Sequence, residues 1–281
     1  MATASGDHGW PAGSALDVSV SGRDGPLIAV GVLPHANEPL GSAFVPSDVD
    51  GRVALVGPID PPPHRFALPT DPVGYARDGY LQPLAGQVEF AHCAHPSTPA
   101  QHRAAALRAR LAELRPAALL LVHNDVGAVA PYLYANRVWP AVSRRLRALP
   151  YPHRPRLAAS WTTTLDACTY AYFPAARIGV EGAECAGLYL ERELGIPTLT
   201  VELPMFAWGT ADRTRHAVAE AVGRWIARGA SHGGDTGRLV REVTAALGGR
   251  HVEMTPAADC DRVIRTVLCG LREDLLSGSR G

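Results

Sequence analysis

The chain has 281 residues, 47% of them hydrophobic and 19% charged, with 27 basic and 27 acidic residues and a formal net charge of zero. That is enough chain for one large α/β domain, and the balanced charge gives no field that would argue for nucleic acid or an anionic membrane as a partner. Every basic residue is arginine, which excludes a P-loop lysine, and no apolar run reaches the roughly 18 residues of a membrane span.

The N-terminal "MATASGDHGWPAGSALD" has no basic start followed by an apolar core, so it does not read as a secretory signal. Residues 1–26 read as a polar lead-in able to pair at a sheet edge. The five cysteines (Cys93, Cys168, Cys185, Cys260 and Cys269) show no C-x-x-C spacing. Reduced thiols and a cytoplasmic setting are therefore expected, with no disulfide framework and no thiolate zinc site.

"PLIAVGVL" (26–33) and "RVALVG" (52–57) are short Val-rich runs bounded by Gly or Pro, and they predict buried strands. The stretch "PIDPPPHRFALPTDPVGYARDGYLQPLAGQVEFAHCAHPSTP" is loaded with proline and lacks a helical period, so it reads as a long functional loop. "PAQHRAAALRARLAELRP" follows, with Leu107, Leu111 and Leu114 on one face, and predicts an amphipathic helix ending before Pro116. It feeds a third buried strand, "AALLLVH". Residues 128–148 are mixed, with a helix in "WPAVSRRLRAL". "EGAECAGLYLERELG" (181–195) predicts a helix closed by Gly195, "IPTLTVELP" a strand, and "TADRTRHAVAEAVGRWIARG" a helix with Thr210 as N-cap.

"ASHGGDTG" reads as a linker, and "RLVREVTAALGG" and "DCDRVIRTVLCGLREDLL" as helices. Alternating strands and helices predict an α/β layered sheet with helices on both faces. Residues 1–234 are expected to form the principal domain. Residues 235–281 would be a C-terminal helical extension of it, amphipathic enough to serve a homodimer contact.

In open α/β sheets ligands bind beyond the strand ends. Three strand exits here carry polar groups: His35 and Glu38 in "PHANEPLG", His123 in "LLLVHND", and Glu202 in "TLTVELP". Two imidazoles and a carboxylate are a ligand set of catalytic zinc, and a further carboxylate beside the open position completes metal-assisted hydrolysis. Each residue alone has a blander reading: a capped turn for His35 and Glu38, a backbone-bonded histidine for His123, a salt bridge for Glu202. Their shared placement at strand exits favours the metal reading. The competing cluster is "EFAHCAH", where His92, Cys93 and His95 lie close to Glu89, but no distant strand-exit ligand belongs to it. It reads as pocket rim or structure. Ser160 lacks a G-x-S-x-G frame.

In that order, the three segments resemble the metal-binding and catalytic segments of the zinc carboxypeptidase superfamily. That group includes succinylglutamate desuccinylase and aspartoacylase type amidohydrolases. The resemblance implies a layered fold with a central mixed sheet, one Zn2+ ion held by His35, Glu38 and His123, and Glu202 as general base. It further implies Arg65 at the oxyanion and Arg77 gripping a substrate carboxylate. Departures are visible: "DPPPHR" stands where the family has "DPDG", no Asn-Arg pair follows, and position 182 is Gly where digestive members place a tyrosine. Tyr170, Tyr172 and Tyr189 take no assigned role. Asp125 reads either as a partner of a metal ligand or as the start of a turn. The implied activity is hydrolysis of an amide bond in a small peptide or peptide-like metabolite with a free carboxylate. The alternatives are an N-acyl amino acid deacylase and a non-catalytic binding protein on the same fold.

Overall fold

The computed structural model describes residues 16–47, 49–62, 69–151, 162–209, 213–229 and 236–278. Among them the strands are β1 (Asp17–Ser21), β2 (Leu27–Gly31), β3 (Arg52–Gly57), β4 (Ala118–Asp125), β5 (Tyr132–Ala135), β6 (Thr169–Ala171) and β7 (Thr198–Pro204). The helices are α1 (Pro72–Asp78), α2 (Pro99–Leu114), α3 (Pro140–Arg147), α4 (Ala186–Leu194), α5 (Arg213–Ala227), α6 (Gly237–Leu247) and α7 (Ala257–Gly278). The strands form one mixed sheet in the order β1-β3-β2-β4-β7-β5-β6. The central strands β3, β2, β4 and β7 are parallel, β1 runs antiparallel on β3, and β5 runs antiparallel on β7.

This is the α/β layered class expected, with helices on both faces. The near-continuous apolar run of β4 shows why. Leu120 and Val122 face one core with Leu199, Val201 and the α7 residues Ile264 and Val267. Leu119 and Leu121 face the other core, with Leu107 and Leu111 of α2 and Leu190 of α4. A strand covered on both sides has no solvent face to alternate with. Each fully buried leucine contributes about 2 kcal/mol of apolar burial.

Three expectations shift. The Pro-rich segment is not all loop: α1 forms inside it, with Pro72 in its first turn and the Asp71 side chain accepting from the Gly74 amide at 2.8 Å. At seven residues it is too short to show a helical period. The helix expected from 181 begins at Ala186. β5, four residues long, was hidden in the mixed region, and β6, three residues long, in a stretch given no element, because so few residues show no alternation. Thr210, Ser160 and most of the "ASHGGDTG" segment lie outside the described residues.

The C-terminal helices pack on what precedes them. α6 joins α1, α5, Phe206 and Trp208 in a third apolar cluster. α7 lies on α3, and its Asp274 carboxylate accepts from the Ala141 amide at 3.0 Å. That contact does the capping work that Trp139, at the N-cap, does not. The crossing is tight at Gly270, where an added Cβ would lie 2.6 Å from the Val142 Cα. In an open helix Gly→Ala stabilises by about 1 kcal/mol. Here Gly270→Ala is expected to destabilise by about 1–3 kcal/mol, because the obstacle is backbone. Urea unfolding measures it, and a more stable variant would contradict this helix contact.

Candidate active site

Register brings the site together. β4 and β7 pair so that His123 stands beside Glu202, and in a parallel pair such neighbours share a face. Because Leu199 and Val201 fill the α7 side, Glu202 and His123 project to the other. β5, antiparallel on β7, then sets Tyr132 opposite Glu202 and Tyr134 opposite Thr200.

His35 and Glu38 arrive from the end of β2. The Glu38 amide donates to the His35 carbonyl at 3.0 Å, closing a turn. That turn is strapped to β4 by Asn124, whose amide donates to Glu38 Oε2 at 3.0 Å and whose Oδ1 accepts from the Leu40 amide at 2.9 Å. The capped-turn reading is therefore true of the backbone, while the side chains reach the end of β4. Glu38 Oε2 lies 3.0 Å from His123 Nδ1, and Glu38 Oε1 lies 4.0 Å from His35 Nε2. The two imidazole centroids are 4.7 Å apart, edge to face. His35, Glu38 and His123 each offer a ligand atom within 4.8 Å of the others, so this group can hold a metal ion.

Burial sets the charges. It lowers His35 to about 4 and His123 to about 3, so both are neutral near pH 7 and present lone pairs. Burial pushes Glu38 up, opposed by His35 and the Asn124 amide. Glu202 is pushed well above the ordinary carboxylate range by burial, then by the charges of Glu38, Asp125 and Glu89. His35 Nδ1 and His123 Nε2 are buried without a hydrogen-bond partner.

Glu89 is the residue that the sequence placed in the wrong company. It sits in the turn Val88–Phe90, its carboxylate accepts from the Ala186 amide at the start of α4, and its Oε2 lies 3.8 Å from His123 Nε2. Burial and the Glu38 charge raise it from 4.5 to about 8. The rest of the "EFAHCAH" cluster disperses: His92 pairs its backbone with Glu184 and stacks on Tyr189, and His95 is exposed. Asp125 resolves as a turn anchor, accepting from the Gly127 amide at 2.6 Å and from the Tyr132 hydroxyl at 2.8 Å.

These groups line a cavity of about 410 Å³, closed on one side by Ala219, Val222 and Gly223 of α5. Arg77 does not reach it. The buried face of α1 is Gly74, Tyr75 and Ala76, which leaves Arg77 62% exposed with its guanidinium on Asp78 at 2.7 Å. What α1 delivers instead is Tyr75, whose hydroxyl accepts from Asn37 Nδ2 at 2.9 Å. The expected carboxylate grip by Arg77 is thus corrected. Arg65 lies outside the described residues.

No family model and no curated protein matches this chain. Solved structures similar to it include a metallo-carboxypeptidase from Burkholderia cenocepacia, at 11% identity and TM-score 0.44, over 81% of this chain and 58% of that one. A succinylglutamate desuccinylase from Silicibacter sp. is similar at 16% identity and TM-score 0.37, over 74% and 58%. The murein-tripeptide amidase of Escherichia coli O157 is similar at 12% identity and TM-score 0.32, over 73% and 82%. These are the groups whose segments the sequence resembles. Scores this low carry no conclusion about the reaction of this chain, which has to come from its own residues.

One consequence of the burial is testable without any ligand. Unfolded glutamate ionises near 4.5, whereas folded Glu89 keeps its proton to about pH 8. Between those values the folded state binds more protons, so stability falls as pH rises. Metal-free protein is expected to lose thermal stability from about pH 5 to pH 8, and Glu89→Gln, which stays neutral, to lose less. Identical slopes by calorimetry would contradict the buried, protonated Glu89.

Proposed function

We propose that this protein is a zinc-dependent hydrolase that cleaves an amide bond in a small peptide or peptide-like metabolite. The observation that carries the reading is the buried convergence of His35, Glu38 and His123 beside Glu202 on the neighbouring strand. The donor set fits one Zn2+ ion: two neutral imidazoles and one carboxylate, with Glu38 oxygens 3.0 Å from His123 Nδ1 and 4.0 Å from His35 Nε2. When bound, the ion supplies Lewis-acid polarisation of the amide carbonyl and lowers the pKa of water towards 7.

The chain's own residues do the rest. Glu202, set beside His123 by the β4–β7 register, would take a proton from the attacking water and hand it to the departing amine nitrogen. Glu89 faces the Nε2 edge of His123 at 3.8 Å, where a small approach would let it orient that ring as carboxylates behind metal-ligating histidines do. Ala219, Val222 and Gly223 of α5 give the cavity an apolar stretch of wall. Arg65, if brought to the site by its segment, would assist the oxyanion. No helix among the described residues is long and apolar enough to cross a membrane.

Elemental analysis is expected to find one zinc per chain, reduced in His35→Ala. Glu202→Gln is expected to keep zinc and lose about 10²–10⁴-fold in turnover of dipeptide or N-acyl amino acid substrates. Native turnover by metal-replete Glu202→Gln would reject the base. Glu89→Gln is expected to weaken zinc binding about 10–100-fold in a chelator competition, and unchanged affinity would reject its positioning role.

A further inference from the structure

Across β7 from the His35–Glu38–His123 group, the site changes character. β5 carries Tyr132 and Tyr134 on the cavity face, and the chain beyond β6 adds Tyr172 and Phe173. Tyr134 stacks on Tyr172 at 6.2 Å with an interplanar angle of 21°, and Phe173 meets Tyr134 edge to face at 5.7 Å. The packing of Tyr172 is made possible by Gly187 of α4, where an added Cβ would come within 2.2 Å of the ring. Two of the hydroxyls are committed: Tyr132 donates to Asp125, and Tyr172 pairs with Thr200 Oγ1 at 2.8 Å. Tyr134 also shares a hydrogen bond with Tyr132, so what these residues chiefly offer the cavity is aromatic surface.

The polar groups around that surface share a sign. Glu202 and Asp125 act electrostatically on Tyr134, and Glu89 on Tyr172. Four carboxyl groups, Glu38, Glu89, Asp125 and Glu202, line the cavity. Among the described residues that line the cavity none is basic apart from the two neutral imidazoles. Aromatic surface and carboxyl oxygens, with no other basic side chain among the described lining residues, suit a cation that brings N–H donors.

We propose that Tyr132, Tyr134, Tyr172 and Phe173, with Glu202 and Glu89 beside them, form a subsite for an ammonium-bearing arm of the substrate. This rests on the hydrolase reading for the position of the scissile amide, which places the arm on the Glu202 side, away from His35 and Glu38. The carboxylate-bearing substrate expected from the sequence would find its own charge repelled there.

The test uses three amides of one length and shape: N-acetyl-1,4-diaminobutane, N-pentylacetamide and 5-acetamidopentanoate. Calorimetric titration is run on the full chain with and without zinc, so binding is read apart from turnover. The ammonium probe is expected to bind at least about tenfold more tightly than the neutral and carboxylate probes. Tyr134→Leu, and separately the less buried Phe173→Leu, are expected to erase that preference while zinc content holds. Indifference among the three probes, or tighter binding of the carboxylate, overturns the subsite. Absence of turnover with the preference intact would count against the hydrolase reading alone.

Discussion

The parallel register between β4 and β7 is the constraint on which the rest of the site depends. It places His123 beside Glu202 with no freedom beyond side-chain rotation. A slip of either strand by one residue would turn its site residue to the α7 face, where Leu199, Val201 and Val122 now fill the core. Packing thus guards the chemistry. The apolar residues that alternate with the polar ones make any other register expensive, so the pair needs no hydrogen bond of its own to stay aligned. His35 and Glu38 come from a loop, and loops are less exactly placed. Asn124 removes that slack by gripping the Glu38 carboxylate and the Leu40 amide from the same strand that carries His123.

This rigidity holds together groups that oppose one another. Glu38, Glu89 and Glu202 are each raised by burial; neighbouring charges add to the effect at Glu89 and Glu202, while His35 opposes it at Glu38. A structure that keeps several carboxyls dry and adjacent stores an electrostatic cost, which a cation relieves. The cost is offset elsewhere by the two apolar cores on either side of the sheet and by the α3–α7 crossing. Sites of this kind trade stability for readiness, and the trade concentrates at residues whose surroundings cannot relax.

How much of this was legible depends on the range of each signal. β2, β3, β4 and β7 declared themselves because buried strands need apolar runs, and the exits of β2, β4 and β7 carry the candidate site residues. His35, Glu38, His123 and Glu202 could be picked from those exits. Glu89 could not. Its neighbours in sequence, His92 and His95, suggested a local cluster, whereas its partners are the Ala186 amide and His123, contacts that only the tertiary path of a Pro-rich segment creates. Arg77 misled for the opposite reason. A seven-residue helix has no readable period, so nothing in the sequence told its solvent face from the face that buries Tyr75. The aromatic wall was hidden as well, because β5 and β6 are too short to alternate and their tyrosines meet only across the sheet.

The central claim is that two imidazoles and a carboxylate from separate strand exits hold one divalent ion. X-ray absorption at the zinc edge of the reconstituted protein tests it directly. The account predicts a single zinc with two imidazole nitrogens at about 2.0–2.1 Å and carboxylate oxygen at about 2.0–2.2 Å, the imidazole signal halving in His123→Ala. A sulfur shell at about 2.3 Å, or a zinc without imidazole scattering, would contradict it.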